Sequence, residues 1–129
     1  DGVEGEENVG DPDREHHEIA RAPADAEARR LQNGELVRVF NERGACLAAA
    51  SIRPDLMPGV VQLPTGAWWD PRELDGLCRA GNPNVLTRDV GTSRLAQGPT
   101  AQTCLVEVER YAGEPPLMQA HQQPRFATE

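Results

Sequence analysis

Residues 36–52 read as a β-hairpin, and this constrains the fold more than any other stretch. Leu36, Val37, Arg38, Val39 and Phe40 form a strand, Asn41-Glu42-Arg43-Gly44 turns the chain, and Ala45 to Ile52 returns. A second turn over residues 54–59 leads into a strand at Val60, Val61, Gln62 and Leu63. From Thr103 to Arg110, Cys104, Val106 and Val108 alternate with Leu105, Glu107 and Glu109, giving one buried and one mostly wet face. Before the hairpin, residues 23–31 read as a short helix. Pro23 suits its first turn, Asp25 and Glu27 its positive end, and Arg29 and Arg30 its negative end. Ala24, Ala28 and Leu31 supply its buried stripe, and Asn33-Gly34 stops it. One helix, four or five short strands and long loops fit a small closed or half-closed β-barrel better than a sandwich.

The 129 residues suffice for one modest core, with few aromatics, so that core is mostly Val, Leu, Ile and Ala. The net charge of −8 is unevenly spread. Residues 1–18 hold eight acids against Arg14, while the other 111 residues hold 13 acids and 12 arginines. The expected layout is an acidic disordered tail at 1–18, a folded domain at 19–111 and, at 112–129, a Pro/Gln-rich unfolded tail or strap across a missing neighbour. The first residue, Asp1, implies a processed or excised piece. No basic stripe of the kind duplex binding requires is present, and no apolar run approaches the ~18 residues of a membrane helix. Neither nucleic acid nor a membrane is therefore expected as a partner. All 13 cations are Arg, which removes lysine chemistry.

Cys46, Cys78 and Cys104 have neither zinc nor redox spacing. Cys46 and Cys104 read as small core residues, and free thiols suit a cytoplasmic setting, a periplasmic one being the alternative. His16 and His17 are adjacent and diverge, so they do not read as a metal pair. Ser93 has no histidine partner outside the tails and no Gly-x-Ser-x-Gly elbow surrounds it, which argues against a hydrolase. Residues 72–80 read as polar connection. Trp68 and Trp69 stand together in a loop and cannot both face one core. Either at least one covers a cleft, ligand or neighbouring domain, or the loop is a lid packed on the barrel. Residues 81–102 are long, polar and without helix or strand period; on composition alone they are a solvated loop.

Several ordered blocks change that reading: Asn33-Gly34-Glu35 leading into Val37-Arg38-Val39, Met57-Pro58-Gly59, Trp68-Trp69-Asp70-Pro71, Asn82-Pro83-Asn84-Val85-Leu86-Thr87, and residues 91–98 (GTSRLAQG). From about Ile19 to Tyr111 the chain resembles the C-terminal, molybdopterin-dinucleotide-binding domain of the dimethyl sulfoxide reductase family, nearest its biotin sulfoxide and trimethylamine N-oxide reductases. The resemblance implies a double-psi β-barrel that closes over molybdenum bis(molybdopterin guanine dinucleotide) and packs on upstream catalytic domains. It implies cofactor contacts from Asn82, Asn84 and Gln102, whose carboxamides suit pterin and guanine edges. Thr92, Ser93 and Gly98 would let backbone N–H groups approach phosphates, Asp70 would accept from a guanine amine, and Trp69 would lie near the cofactor mouth.

Such a domain orients a cofactor that does the chemistry, here oxygen-atom transfer from an S-oxide or N-oxide. The molybdenum ligand of that family lies far upstream, so the chain alone is expected to be inactive. The family's His-Ser-Gln-like block, which contributes a strand, has no match in residues 1–18, so the barrel lacks a strand or recruits the tail. The alternative function is a stand-alone barrel subunit that assembles with a separate catalytic chain.

Overall fold

A computed structural model describes residues 16–100, 104–120 and 123. Within them lie β1 (Glu18–Arg21), α1 (Pro23–Ala28), β2 (Leu36–Phe40), β3 (Ala45–Ile52), β4 (Val61–Gln62), a 3-10 turn (Pro83–Val85) and β5 (Glu107–Arg110). The strands form one sheet in the order β4-β1-β3-β2-β5.

The hairpin forms as read, with β2 and β3 antiparallel from Phe40↔Ala45 to Leu36↔Ala49. Asn41 closes it: its N–H donates to Gly44 O at 3.0 Å, and its Oδ1 accepts from the N–H groups of Arg43 (2.9 Å) and Gly44 (3.3 Å). Val37 and Val39 are fully buried, each contributing about 1.5–3 kcal/mol from burial. β3 is the centre of the sheet. Its run of buried Cys46, Leu47, Ala48 and Ala50 is what a strand covered on both faces needs.

β1 runs parallel to β3, from Glu18↔Ala49 to Arg21↔Ile52. A parallel pair needs a crossover, and α1 with β2 provides it. Glu18 therefore belongs to the sheet and not to the tail, and His17 O already accepts from Ala49 N–H at 2.8 Å. The fully buried Ile19 explains why. On its other side β1 pairs antiparallel with β4, Ala20↔Gln62 and Arg21↔Val61.

The helix ends earlier than expected. Arg30 takes a positive φ of 53°, its N–H donates to Glu27 O at 3.0 Å, and Leu31 N–H donates to Ala26 O at 2.8 Å. That is a Schellman ending built on Arg instead of Gly. It also resets the helix phase: Ala22, Ala26 and Leu31 are buried, while Ala24 and Ala28 are exposed.

Three further segments depart from expectation. β5 is shorter than 103–110, because β2 ends at Phe40↔Glu107 and offers no partner beyond it. Thr103 lies outside the described residues. Its alternation survives, with Val108 buried and Leu105 exposed. Residues 72–80 are core as much as connection: Leu77, Cys78 and Ala80 are buried, and the Cys78 backbone pairs in parallel with that of Cys46 in β3, both thiols being free. Met118, in the segment read as tail or strap, is buried, and the next two residues are tied to Asp70. Residues 118–120 therefore strap this domain itself, where an unfolded tail or a strap across a missing neighbour was expected.

Candidate functional site

A cleft of about 430 Å³ opens between β4 and the 3-10 turn. Ile19, Val39, Leu86 and Val106 line its aliphatic depth. One wall is the chain from Val61 through Gln62, Leu63 and Pro64 to Thr65; the other is Pro83, Asn84 and Thr87. His17 Nε2 and Pro64 O lie 2.7 Å apart, fixing the first wall to the start of β1.

The second wall is built by local chemistry. Asn82 caps the turn, its Oδ1 accepting from Asn84 N–H at 2.9 Å, with Pro83 at the first position. Thr87 Oγ1 donates to Asn84 O at 3.3 Å. Leu86 O anchors the far end, accepting from Arg43 Nε (2.7 Å), Asn41 Nδ2 (2.9 Å) and the Cys104 thiol (2.9 Å). Asn41 Nδ2 also reaches Leu105 O at 3.0 Å, so one carboxamide ties the hairpin turn to both segments it faces. Gly44 permits this docking: a Cβ there would stand 2.5 Å from Val85 O.

Asn82 is therefore spent on holding the turn, and Asn84 presents a free carboxamide over the cleft. Aliphatic walls with a few polar groups at the rim suit a flat heterocycle whose edge is read by donor and acceptor together.

The other expected site residues lie elsewhere. Thr92, Ser93 and Gly98 sit in a small self-contained loop. Gly91 bridges Pro99, Thr92 N–H donates to Gly98 O at 2.8 Å, and Ser93 Oγ accepts from Ala96 N–H at 2.9 Å. Trp69 is 67% and Trp68 63% exposed, and neither ring lines this cleft. Gln102 lies outside the described residues.

Asp70 is withdrawn into the fold. It is 5% exposed, accepts from Arg79 Nη2 at 2.6 Å through Oδ1, and from the N–H groups of Gln119 (2.7 Å) and Ala120 (3.0 Å) through Oδ2. Burial alone would push its carboxyl up. The Gln119 amide, Arg79 and the Ala120 amide together outweigh it and hold the group below the ordinary carboxylate range. Asp70 is thus a clamp on the strap at 118–120, turned away from the cleft.

Cys46 is as buried as its pattern predicts, and that burial, with Cys78 next to it, pushes its thiol up to about 12. Cys104 is only half-buried and stands at the cleft. Gln62, Thr65 and Thr87 were not expected in the walls. The one sequence hint was the Pro64-Thr65-Gly66 turn that directly follows a strand and so carries polar groups to a strand end.

Residues 6–105 match the family described as "Molydopterin dinucleotide binding domain". Trimethylamine-N-oxide reductase of Salmonella typhimurium is 53% identical over 94 residues, covering 70% of this chain and 11% of its own length. Biotin sulfoxide reductase of Cereibacter sphaeroides is 48% identical over 97 residues, covering 75% and 13%. The dimethyl sulfoxide/trimethylamine N-oxide reductase of the same organism is 45% identical over 108 residues, covering 81% and 13%. The chain thus spans 11–13% of the length of these relatives. Among solved structures, acetylene hydratase from Pelobacter acetylenicus superposes with a TM-score of 0.61 at 14% identity, over 74% of this chain and 14% of that one. That likeness supports the mainly-β, barrel-like fold. With residues 6–105 of its 129 matched, the chain belongs to the molybdopterin dinucleotide-binding domain family.

Proposed function

We propose that this chain is the C-terminal cofactor-binding domain of a molybdenum oxidoreductase that reduces S-oxides or N-oxides, and that it holds one heterocyclic end of molybdopterin guanine dinucleotide in the cleft beside Asn84. The observation that carries this is the free Asn84 carboxamide, set by the Asn82 cap above an aliphatic cleft. The cleft fits a ring system better than a charged group, since its walls are aliphatic and its rim residues neutral. When bound, the cofactor's molybdenum supplies oxygen-atom transfer. The chain's own residues bind and orient: Asn84 reads a ring edge, Val61, Leu63 and Leu86 exclude water, and Gly44, Asn41 and Arg43 keep the wall in place. Asn82 acts through Asn84. Thr92, Ser93, Gly98, Trp69 and Gln102 keep a place in the proposal only as contacts to the remainder of the dinucleotide.

Asn84→Ala in the intact parent enzyme should lower cofactor retention, because a ring group otherwise satisfied is left unpaired at about 1–3 kcal/mol. Molybdenum and pterin released from the purified protein measure it. Content equal to that of the unmodified enzyme would exclude Asn84 from the site. The chain by itself should not reduce a sulfoxide with a reduced dye.

A further inference from the structure

Arg21 closes β1 and is 3% exposed, yet its Nε and Nη1 have no hydrogen-bond partner. A guanidinium cannot shed its charge under ordinary conditions, so burial without acceptors is a standing cost. Burial, and after it the charge of Arg29, draws its pKa down. The nearby carboxylates are engaged elsewhere. Asp25 Oδ2 accepts from Gly59 N–H at 2.7 Å, and Glu107 Oε1 accepts from Arg29 Nε at 3.0 Å and from Val108 N–H at 2.9 Å. Arg29 is committed to that pair, and Arg21 is left over.

Arg21 lines a second cleft, about 320 Å³ in volume. One side is Gly59, Val60 and Val61, at β4; the other is Leu105, Val106 and Val108, at β5. These two strands are the opposite ends of the sheet. The sheet has curled until its outer edges line one slot, and neither edge has a strand partner among the described residues. Its two sides are aliphatic, with Leu105 85% exposed, while Arg21, Asp25 and Arg29 make the rest of the slot charged. Paired free edges are a template for a strand.

We propose that this slot receives an extended peptide segment, laid between β4 and β5, that brings an Asp or Glu side chain to Arg21. Backbone groups of the incoming strand would pair with the free edges, and its alternate side chains would meet Val60 and Leu105 on one face and Arg21 on the other. A phosphate fits less well. Asp25 stands in the same wall, and the slot offers no second uncommitted cation for a dianion.

A terminally blocked peptide of about nine residues, alternating Val and Thr with Glu at its centre, tests this. Its Gln twin, sodium acetate and inorganic phosphate serve as comparisons, each titrated into the 129-residue chain and followed by backbone amide shifts. The Glu peptide should shift the amides of residues 60–62 and 105–108 and bind about ten-fold tighter than its twin. Arg21→Met, checked for fold by its amide dispersion, should bind both peptides alike, and Arg21→Gln replaces it if that variant does not fold. Equal binding of Glu and Gln peptides by the unmodified chain overturns the proposal. So does a response to acetate or phosphate at the same residues equal to that of the Glu peptide, which would make this a free-anion site. Self-association that protects residues 60–62 would instead assign the slot to a second copy and overturn the proposal too.

Discussion

Replacing Asp70 with Asn should unfold the strap and much of the stability with it. The carboxylate is 5% exposed and holds a 2.6 Å bond from Arg79, itself 13% exposed, along with two backbone N–H groups of the strap. Removing one partner of a buried ion pair costs about 3–5 kcal/mol, since the other charge stays buried. Asn keeps one acceptor oxygen, which can serve Gln119 or Ala120, so about 3 kcal/mol is the expected loss. For a chain of this size that corresponds to roughly 10 °C in melting temperature. The pH dependence has a definite sign. The folded-state pKa of Asp70 is depressed, so its contribution is present above the unfolded value of about 3.9 and is lost as pH falls through the folded value. Urea or thermal unfolding by circular dichroism, run from about pH 7 to about pH 3, should show the gap between unmodified and Asp70→Asn chains closing at the acid end. A gap below about 0.5 kcal/mol at neutral pH would refute the clamp. A gap that stays constant into acid would refute the charge as its origin.

Asn41→Ala removes the turn acceptor for Arg43 and Gly44 and the donor shared by Leu86 O and Leu105 O, so it should cost about 2–3 kcal/mol in the same unfolding assay. A loss under about 0.5 kcal/mol would mean that the turn is held by other groups. Iodoacetamide should alkylate Cys104 first in the folded chain. With its pKa at about 12, Cys46 is thiolate to only on the order of one part in ten thousand near pH 8. Peptide mass spectrometry showing Cys46 labelled as fast as Cys104 would contradict that burial.

Local chemistry carried the hairpin. The apolar pattern of Leu36–Phe40 and the Asn41–Gly44 turn chemistry act within a few residues, so both were legible without knowledge of the fold. The β1–β3 parallel pair was not, because its register is set across a helix and a strand. The helix phase was misread for a related reason. Ala22 and Ala26 face the core because of how the Arg30 reversal places Leu31, and no periodicity within six residues contains that information. Asp70 is the instructive case at the site. The family resemblance implied a guanine acceptor there, and only tertiary structure brings Arg79 and the strap amides to the carboxylate. The 3-10 turn that carries Asn84 rests on the local Asn82 cap and Pro83, so its chemistry stands in the sequence even though residues 81–102 were read only as loop. Arg21 was not, since nothing in its neighbours announces that a cation there is buried.

Under the proposed function, the cleft between β4 and the 3-10 turn takes a heterocycle. Titrating the isotope-labelled chain with pterin and with guanosine, neither of which carries a phosphate, and following backbone amides and the Asn84 carboxamide, tests it most directly. Saturable shifts are expected at Gln62, Thr65, Asn84 and Thr87 with at least one of the two, absent in Asn84→Ala, while the loop around Thr92 and Ser93 stays unmoved. Shifts confined to that loop, or none at any of the four cleft residues with either ligand, would contradict it.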